Sequence, residues 1–141
     1  MPEHIADPAL TTSLNYWAVL VAALTSFVLG GLWYSPALFG RAWCNEMGRS
    51  IDEKSGHPAK VFGAAFAFSL AASYFFAWLL GPAPDLHRAV HMSFVVGGGF
   101  VACCFGINYQ FAGHSWRMLA IDAGYHFLQF VLFAVVLGLW H

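Results

Sequence analysis

The sequence WRMLAIDAGYHFLQFVLFAVVLGLW, residues 116–140, decides the fold class. The run is almost wholly apolar and has the length of a helix that crosses a bilayer. Its few polar side chains recur at i, i+3, i+4 and i+7, which places Asp122, Tyr125, His126 and Gln129 on one helix face. A carboxylate or an imidazole that faced hydrocarbon would cost about 2 kcal/mol or more. We therefore expect this polar face to meet protein, water or a ligand.

The composition of the whole chain also indicates an integral membrane protein. Of the 141 residues, 60% are hydrophobic and only 9% are charged. Since a soluble domain carries about 25% charged residues, this chain has too few to cover a globule with a solvated surface. The lipid bilayer is therefore the expected partner. The formal net charge is -1 and the basic residues are scattered, so we expect no nucleic-acid partner.

Apolar runs predict an all-α membrane protein with four transmembrane helices in a single domain, residues 1–141. The predicted spans are about 14–35, 60–80, 88–112 and 116–140. Only a few residues around His114 separate the last two spans, so these two must be antiparallel neighbours, and we predict two antiparallel hairpins. After the first span, a stretch of mixed apolar and basic residues that ends near Gly48 predicts a short helix lying at the membrane interface.

Basic residues predict the orientation of the spans in the cell membrane, which would be the inner membrane in a Gram-negative bacterium. One side of the bundle is flanked by Arg41, Arg49, Lys54, Lys60 and Arg117. Arg88 alone flanks the other side, so the positive-inside rule places both termini on the non-cytoplasmic side. The acidic N-terminal tail has no basic n-region, and the apolar run after it is too long for a signal peptide. We therefore expect the first span to be kept.

Polar residues on the other spans lie at depths where they can meet the polar face of the fourth span. Counting outward from the loop at His114, Asn108 lies at nearly the depth of Asp122, and Cys104 at nearly that of His126. The first span reaches a similar depth at Ser26 to Trp33, and the second at Ser69. We therefore predict a polar centre in the cytoplasmic half of the bundle, as a ligand or proton pathway. Its candidate residues are Asp122, His126, Tyr125, Asn108, Gln129 and Tyr34.

These candidate residues allow three interpretations. In the first they only hold the spans together, with Asp122 bonded to Asn108 or to an indole N–H; such bonds contribute about 0.6 kcal/mol on average. In the second, Asp122 and His126, one helical turn apart, pass a proton or line a solute pathway. In the third they bind a metal ion. A third ligand is not evident, so we predict no metal site.

The sequence also predicts no cofactor and no catalytic residue. His91 and His126 lie on neighbouring spans, but about ten residues of axial offset, or about 15 Å, separate them, and both axial ligands of one haem iron must lie at similar depth. Gly97-Gly98-Gly99 falls in mid-membrane without a following Lys-Ser/Thr, so it indicates close helix packing rather than a phosphate loop. No nucleophile has an evident base, which makes an enzyme the less favoured class.

Several short motifs resemble those of a known family. They are Asn15-Tyr16, Gly31-x-Trp33-Tyr34-Ser35-Pro36 with Phe39-Gly40-x-x-Trp43, Ala123-Gly124-Tyr125-His126 and Gly138-x-Trp140. With these motifs the chain resembles a family of small integral membrane proteins catalogued as domain of unknown function 1761. The likeness covers most of the chain except the polar loop and the connection after the second span. It implies four transmembrane helices and supplies no activity.

Three functions fit these features. The first is a small oligomeric transporter or channel-like protein whose pathway passes Asp122 and His126; it would need a homo-oligomer, because four helices rarely enclose a pore alone. The alternative is a non-catalytic subunit or scaffold of a larger membrane complex. The third is an enzyme that acts on a lipid or quinone near Trp33, Tyr34 and Glu46. Oligomer contacts would use small-residue ridges on the second and third spans. These ridges are Gly63, Ala67 and Ala71, and Gly98, Ala102 and Gly106.

Overall fold

The structure is a computed structural model that describes residues 13–53 and 56–141, and this part of the chain is helical without strands. Four helical stretches are long and apolar enough to cross a membrane. They are α1 (Tyr16–Trp33), α3 (Pro58–Leu80), the third span (Leu86–Ala112) and α6 (Trp116–Leu139). The predicted all-α fold with four membrane-spanning helices is confirmed, and each end lies within about two residues of its predicted position.

Four shorter elements complete the part of the chain that the structure describes. The short helix α2 spans Gly40–Glu46. The third span consists of α4 (Leu86–Ser93), a π-helical segment (Phe94–Ala102) and α5 (Cys103–Ala112). The hairpin arrangement, the interfacial position of α2 and the orientation stay predictions. Residues 1–12, which form the acidic tail, and Lys54 lie outside the described residues.

A tight turn sets the third span beside α6. Gly113 ends α5 with a φ of 72°, a left-handed conformation that glycine adopts without steric cost. Ser115 then caps α6 by accepting a hydrogen bond from the Met118 N–H at 3.1 Å. The Ser115 hydroxyl also donates to the Glu46 carboxylate, which ties α2 to the start of α6. The turn and the cap bring the end of the third span and α2 to the half of α6 that carries Asp122.

α6 lies at the centre of the bundle. It packs along α1 and along the third span, while α3 packs mainly against α1. A buried apolar core joins α1, α3, α4 and α6, and it contains Ala22, Phe76, Leu80, Ala89 and Phe133. Because α3 contacts the third span chiefly at α4, the two diverge beyond that contact. This divergence leaves space between α3 and the rest of the third span.

The π-helical segment brings the backbone of the third span against α6. A Cβ added to Gly97 would lie 3.3 Å from the Phe127 Cα and 3.3 Å from the Phe130 Cβ. A Cβ on Gly98 would lie 3.6 Å from the Phe127 ring. Close packing therefore accounts for the glycine run at these two positions, as the sequence indicates. The π-helix itself, which has i→i+5 hydrogen bonds and often occurs at functional sites, was not predicted.

Candidate functional site

Asp122 is held by two tyrosine hydroxyls. Tyr34 donates to Oδ1 at 2.6 Å and Tyr109 donates to Oδ2 at 2.5 Å. Only 7% of the Asp122 surface is exposed. Tyr34 directly follows α1, Tyr109 belongs to α5 and Asp122 belongs to α6, so one carboxylate joins three spans. We call Tyr34, Tyr109 and Asp122 the Asp122 clamp.

A compact turn after α1 determines the position of Tyr34. The Phe39 N–H donates to the Trp33 carbonyl oxygen at 3.0 Å, and the Gly40 N–H donates to the Ser35 carbonyl oxygen at 2.9 Å. A Cβ on Gly40 would lie 2.3 Å from the Tyr34 carbonyl oxygen, so only glycine fits at this position. The Trp-Tyr-Ser-Pro and Phe-Gly motifs therefore form one structural unit that directs Tyr34 toward Asp122.

Glycines also let aromatic side chains cross between α1 and α6. A Cβ on Gly124 would lie 3.3 Å from the Trp33 ring, and a Cβ on Gly30 would lie 3.2 Å from the Tyr125 hydroxyl oxygen. The Tyr125 hydroxyl donates to the Ser26 carbonyl oxygen at 3.1 Å. Each helix thus supplies a glycine that accommodates an aromatic residue of the other, which holds the two helices in one register.

His126 belongs to a second set of hydrogen bonds. Its Nδ1 lies 2.9 Å from Gln129 Oε1. Gln129 Nε2 donates to Ser26 Oγ at 3.3 Å and to Ser69 Oγ at 3.4 Å, and these two hydroxyl oxygens lie 2.7 Å apart. We call His126, Gln129, Ser26 and Ser69 the His126 network. It joins α6 to α1 and α3, whereas the Asp122 clamp joins α6 to α1 and α5.

A cavity of about 680 Å³ adjoins the His126 network, and we call it the four-span cavity. Its polar lining side chains are Tyr34, Ser69, Tyr125, His126 and Gln129. Its larger apolar lining side chains are Phe27, Phe62, Phe68, Val101, Phe105 and Phe130. Such a size and such a lining, mostly apolar with a few polar groups, are typical of small-molecule sites, which occupy about 300–1,000 Å³.

The four-span cavity opens where α3 diverges from the third span. Phe62 and Phe68 of α3 line the cavity and yet are 61% and 77% exposed. Val101 and Phe105 line the cavity from the third span. Because these rings are exposed on the outer surface of the bundle, the cavity is open to its surroundings between α3 and the third span.

The structure divides the six predicted site residues into three groups. Tyr34, Tyr125, His126 and Gln129 line the cavity. Asp122 lies in the clamp, outside the described lining. Asn108 is exposed, and the expected Asn108–Asp122 pair is wrong, because the adjacent Tyr109 donates to Asp122 instead. The alternative, an indole donor to Asp122, is also wrong for Trp33, whose Nε1 donates instead to the Ile121 carbonyl oxygen at 2.9 Å.

Sequence reasoning missed two aromatic residues of α5. The Phe105 ring stacks on the His126 ring with centroids 4.9 Å apart, and Tyr109 completes the clamp. Phe105 directly follows Cys104, and Tyr109 directly follows Asn108. Cys104 and Asn108 were the residues predicted at the depth of His126 and Asp122. A step of one residue along an α-helix turns the direction of the side chain by about 100°. The aromatic i, i+4 spacing of Phe105 and Tyr109 was the available signal.

The chemistry that the site offers is hydrogen bonding and apolar contact. Within residues 13–53 and 56–141, no group of three or more His, Cys, Asp or Glu side chains is placed to hold a metal ion. The side chains that line the cavity include the imidazole of His126. The arrangement therefore suits recognition of a molecule with both an apolar and a polar part.

Comparison with known proteins identifies a family without assigning an activity. A family model described as "Protein of unknown function (DUF1761)" matches residues 17–138. This match covers all four membrane spans and both parts of the site. No curated protein and no solved structure matches the chain.

Proposed function

The chain belongs to the DUF1761 family, and we propose that it is a membrane-embedded binding protein of the transporter type that takes up a lipid-soluble molecule from the bilayer. The observation that carries this proposal is the four-span cavity, which combines an apolar lining with the polar His126 network. Its volume and lining are those of a small-molecule site. Its opening between α3 and the third span, on the outer surface of the bundle, supports lateral entry.

Selectivity in such a cavity would come from polar groups and shape. Lipid chains are as apolar as a phenylalanine-lined wall, so transfer from bilayer to cavity gains little from the hydrophobic effect. Hydrogen bonds are stronger in a medium of low dielectric constant than in water. His126 and Gln129 therefore supply the contacts that distinguish a ligand from the surrounding lipid.

In this proposal Asp122 is a positioning residue. Both of its carboxylate oxygens already accept a tyrosine hydroxyl, and these bonds hold α1, α5 and α6 around the cavity. The sequence predicts a pathway past both Asp122 and His126, whereas the pathway in this proposal passes His126 alone. The proposal also does not depend on a homo-oligomer, because the helices of one chain already form a cavity of small-molecule size.

Filling the cavity tests the proposal. Gly31 lines the cavity, and a Cβ added there meets nothing within 4 Å, so Gly31→Leu can begin a side chain at this wall without a clash at the Cβ. Gly63 of α3 has equal room but lies outside the described lining, which makes Gly63→Leu the matched control. Both changes remove a helical glycine, so the gain in helix propensity, about 0.8 kcal/mol, is similar in both.

The measurement is the amount of lipid-soluble molecule that copurifies with each variant, determined by mass spectrometry and normalised to protein. We expect wild type and Gly63→Leu to retain the same molecule and Gly31→Leu to lose most of it. In liposomes, Gly63→Leu should also speed exchange of that molecule between leaflets, whereas Gly31→Leu should not. Equal retention by the two variants would contradict the proposal.

A scaffold function is the second candidate, and the Asp122 clamp favours it. A buried carboxylate that is fully used in joining three spans is what a purely structural protein would contain. This function predicts that the two leucine variants behave alike and that both copurify in mild detergent with the same stoichiometric membrane-protein partner. Loss of ligand from Gly31→Leu alone would exclude it as a complete description.

A further inference from the structure

The hydroxyl hydrogens of Ser26 and Ser69 are both used inside the His126 network. Ser26 Oγ lies 3.0 Å from the Ala23 carbonyl oxygen, and Ser69 Oγ lies 3.3 Å from the same oxygen. The two hydroxyl oxygens are 2.7 Å apart. At 2.7 Å one hydroxyl hydrogen lies between the two serine oxygens, and the other goes to the Ala23 carbonyl oxygen, which at 3.0 Å from Ser26 Oγ is closer than the Gln129 amide at 3.3 Å and 3.4 Å. Neither hydroxyl hydrogen is left for Gln129.

Gln129 must therefore present its amide nitrogen to the serines. Nε2 donates to the two hydroxyl oxygens at 3.3 Å and 3.4 Å, which leaves Oε1 as the atom 2.9 Å from His126 Nδ1. Because an amide oxygen only accepts, His126 Nδ1 must carry a hydrogen. In neutral histidine this leaves Nε2 with a lone pair and no hydrogen. The network thus selects one tautomer of His126.

The lone pair on His126 Nε2 is available to a ligand. Nε2 makes no hydrogen bond to the part of the chain that the structure describes, and this atom is not buried. It is therefore an accessible atom of a residue that lines the cavity. Phe105 stacks on a face of the imidazole, so a ligand approaches at the ring edge, where Nε2 lies.

We propose that the four-span cavity binds a lipid-soluble molecule whose polar end is a hydroxyl or another neutral hydrogen-bond donor, which donates to His126 Nε2. This inference rests on the proposed function and identifies the class of molecule that the same site takes. The described lining contains no Lys, Arg, Asp or Glu side chain, so a charged head group would have no counter-ion there. A neutral donor satisfies the remaining acceptor of the site.

The test compares 1-dodecanol with dodecyl methyl ether, which keeps the oxygen and the chain but lacks the donor hydrogen. Purified protein in detergent micelles is given both at equal concentration, and native mass spectrometry measures the ratio of the two bound molecules. We expect the wild type to favour the alcohol by about tenfold, equivalent to about 1.4 kcal/mol. His126→Phe keeps an aromatic ring and should abolish the preference. His91→Phe, at an exposed position in α4, should retain it.

The outcomes distinguish a failure of this inference from a failure of the proposed function. If neither molecule binds the wild type, the proposed function and the inference both fail. If both bind equally, cavity binding stands and the donor requirement is overturned; a preference for the ether overturns it as well. A second measurement uses the wild type alone and so does not depend on whether a variant folds. In ¹⁵N-histidine NMR of the wild type, His126 should show a protonated Nδ1 and an unprotonated Nε2, and the opposite tautomer would refute the argument.

Discussion

Replacing Asp122 with leucine tests whether the carboxylate holds the bundle together. Leucine has the branched shape of aspartate and the same number of side-chain heavy atoms but accepts no hydrogen bond, so the hydroxyls of Tyr34 and Tyr109 would be left without their partner. Asp122→Asn is the matched control. Its amide oxygen still accepts from one tyrosine, and its NH₂ group can donate to the hydroxyl oxygen of the other. The leucine variant should therefore be much less stable than the asparagine variant.

The magnitude follows from the two bonds of the clamp. Hydrogen bonds between membrane helices are worth about 0.6 kcal/mol on average and at most about 1.7 kcal/mol. Both bonds here go to a single carboxylate that is 7% exposed, so the upper value applies to each. Asp122→Leu should then lower the free energy of unfolding by about 3 kcal/mol. Asp122→Asn retains both contacts in a weaker form and should cost about 1 kcal/mol.

Unfolding by SDS in mixed micelles, followed by circular dichroism, measures these free energies. A double-mutant cycle sharpens the test. In the wild-type background Tyr109→Phe should destabilise the fold by about 1.5 kcal/mol. In the Asp122→Leu background the same change should cost nothing or stabilise, because it removes a hydroxyl that has lost its acceptor. An equal cost of Tyr109→Phe in both backgrounds would refute the clamp.

Two glycine substitutions test the local geometry, each against a glycine in open space. Gly40→Ala should destabilise by about 2 kcal/mol or more and displace Tyr34, because the added Cβ would lie 2.3 Å from a carbonyl oxygen; Gly31→Ala should instead be neutral or slightly stabilising in the same unfolding assay. In the π-helical segment, Gly97→Ala should lower the thermal midpoint, because its Cβ would press on α6 at 3.3 Å, whereas Gly99→Ala should not. Equal effects within either pair would contradict the packing described here.

The four spans could be predicted from sequence because length and hydropathy alone determine them. The facing direction of the third span could not. Residues 94–107 are apolar, and the polar residues that follow, Asn108, Tyr109 and Gln110, lie on different faces, so no polar stripe marks the side that turns toward α6. Depth counted from the loop at His114 was sufficient to place Asn108 beside Asp122 along the membrane normal. Which of Asn108 and Tyr109 faces Asp122 depends on how the third span packs against α6, and this is a tertiary contact.

The polar face of α6 was likewise predicted as one surface, but the structure divides it according to which donors reach each residue. Asp122 meets a tyrosine hydroxyl from each side, so its two oxygens are occupied. His126, one turn further along α6, faces the region where α3 and the third span diverge. There Gln129 forms a hydrogen bond with Nδ1 of the imidazole but not with Nε2. Adjacent turns of one helix thus have opposite roles because the neighbouring spans close around the carboxylate and separate around the imidazole. The free acceptor lies where α3 and the third span diverge, and for this reason the proposed function gives binding to His126 and structural support to Asp122.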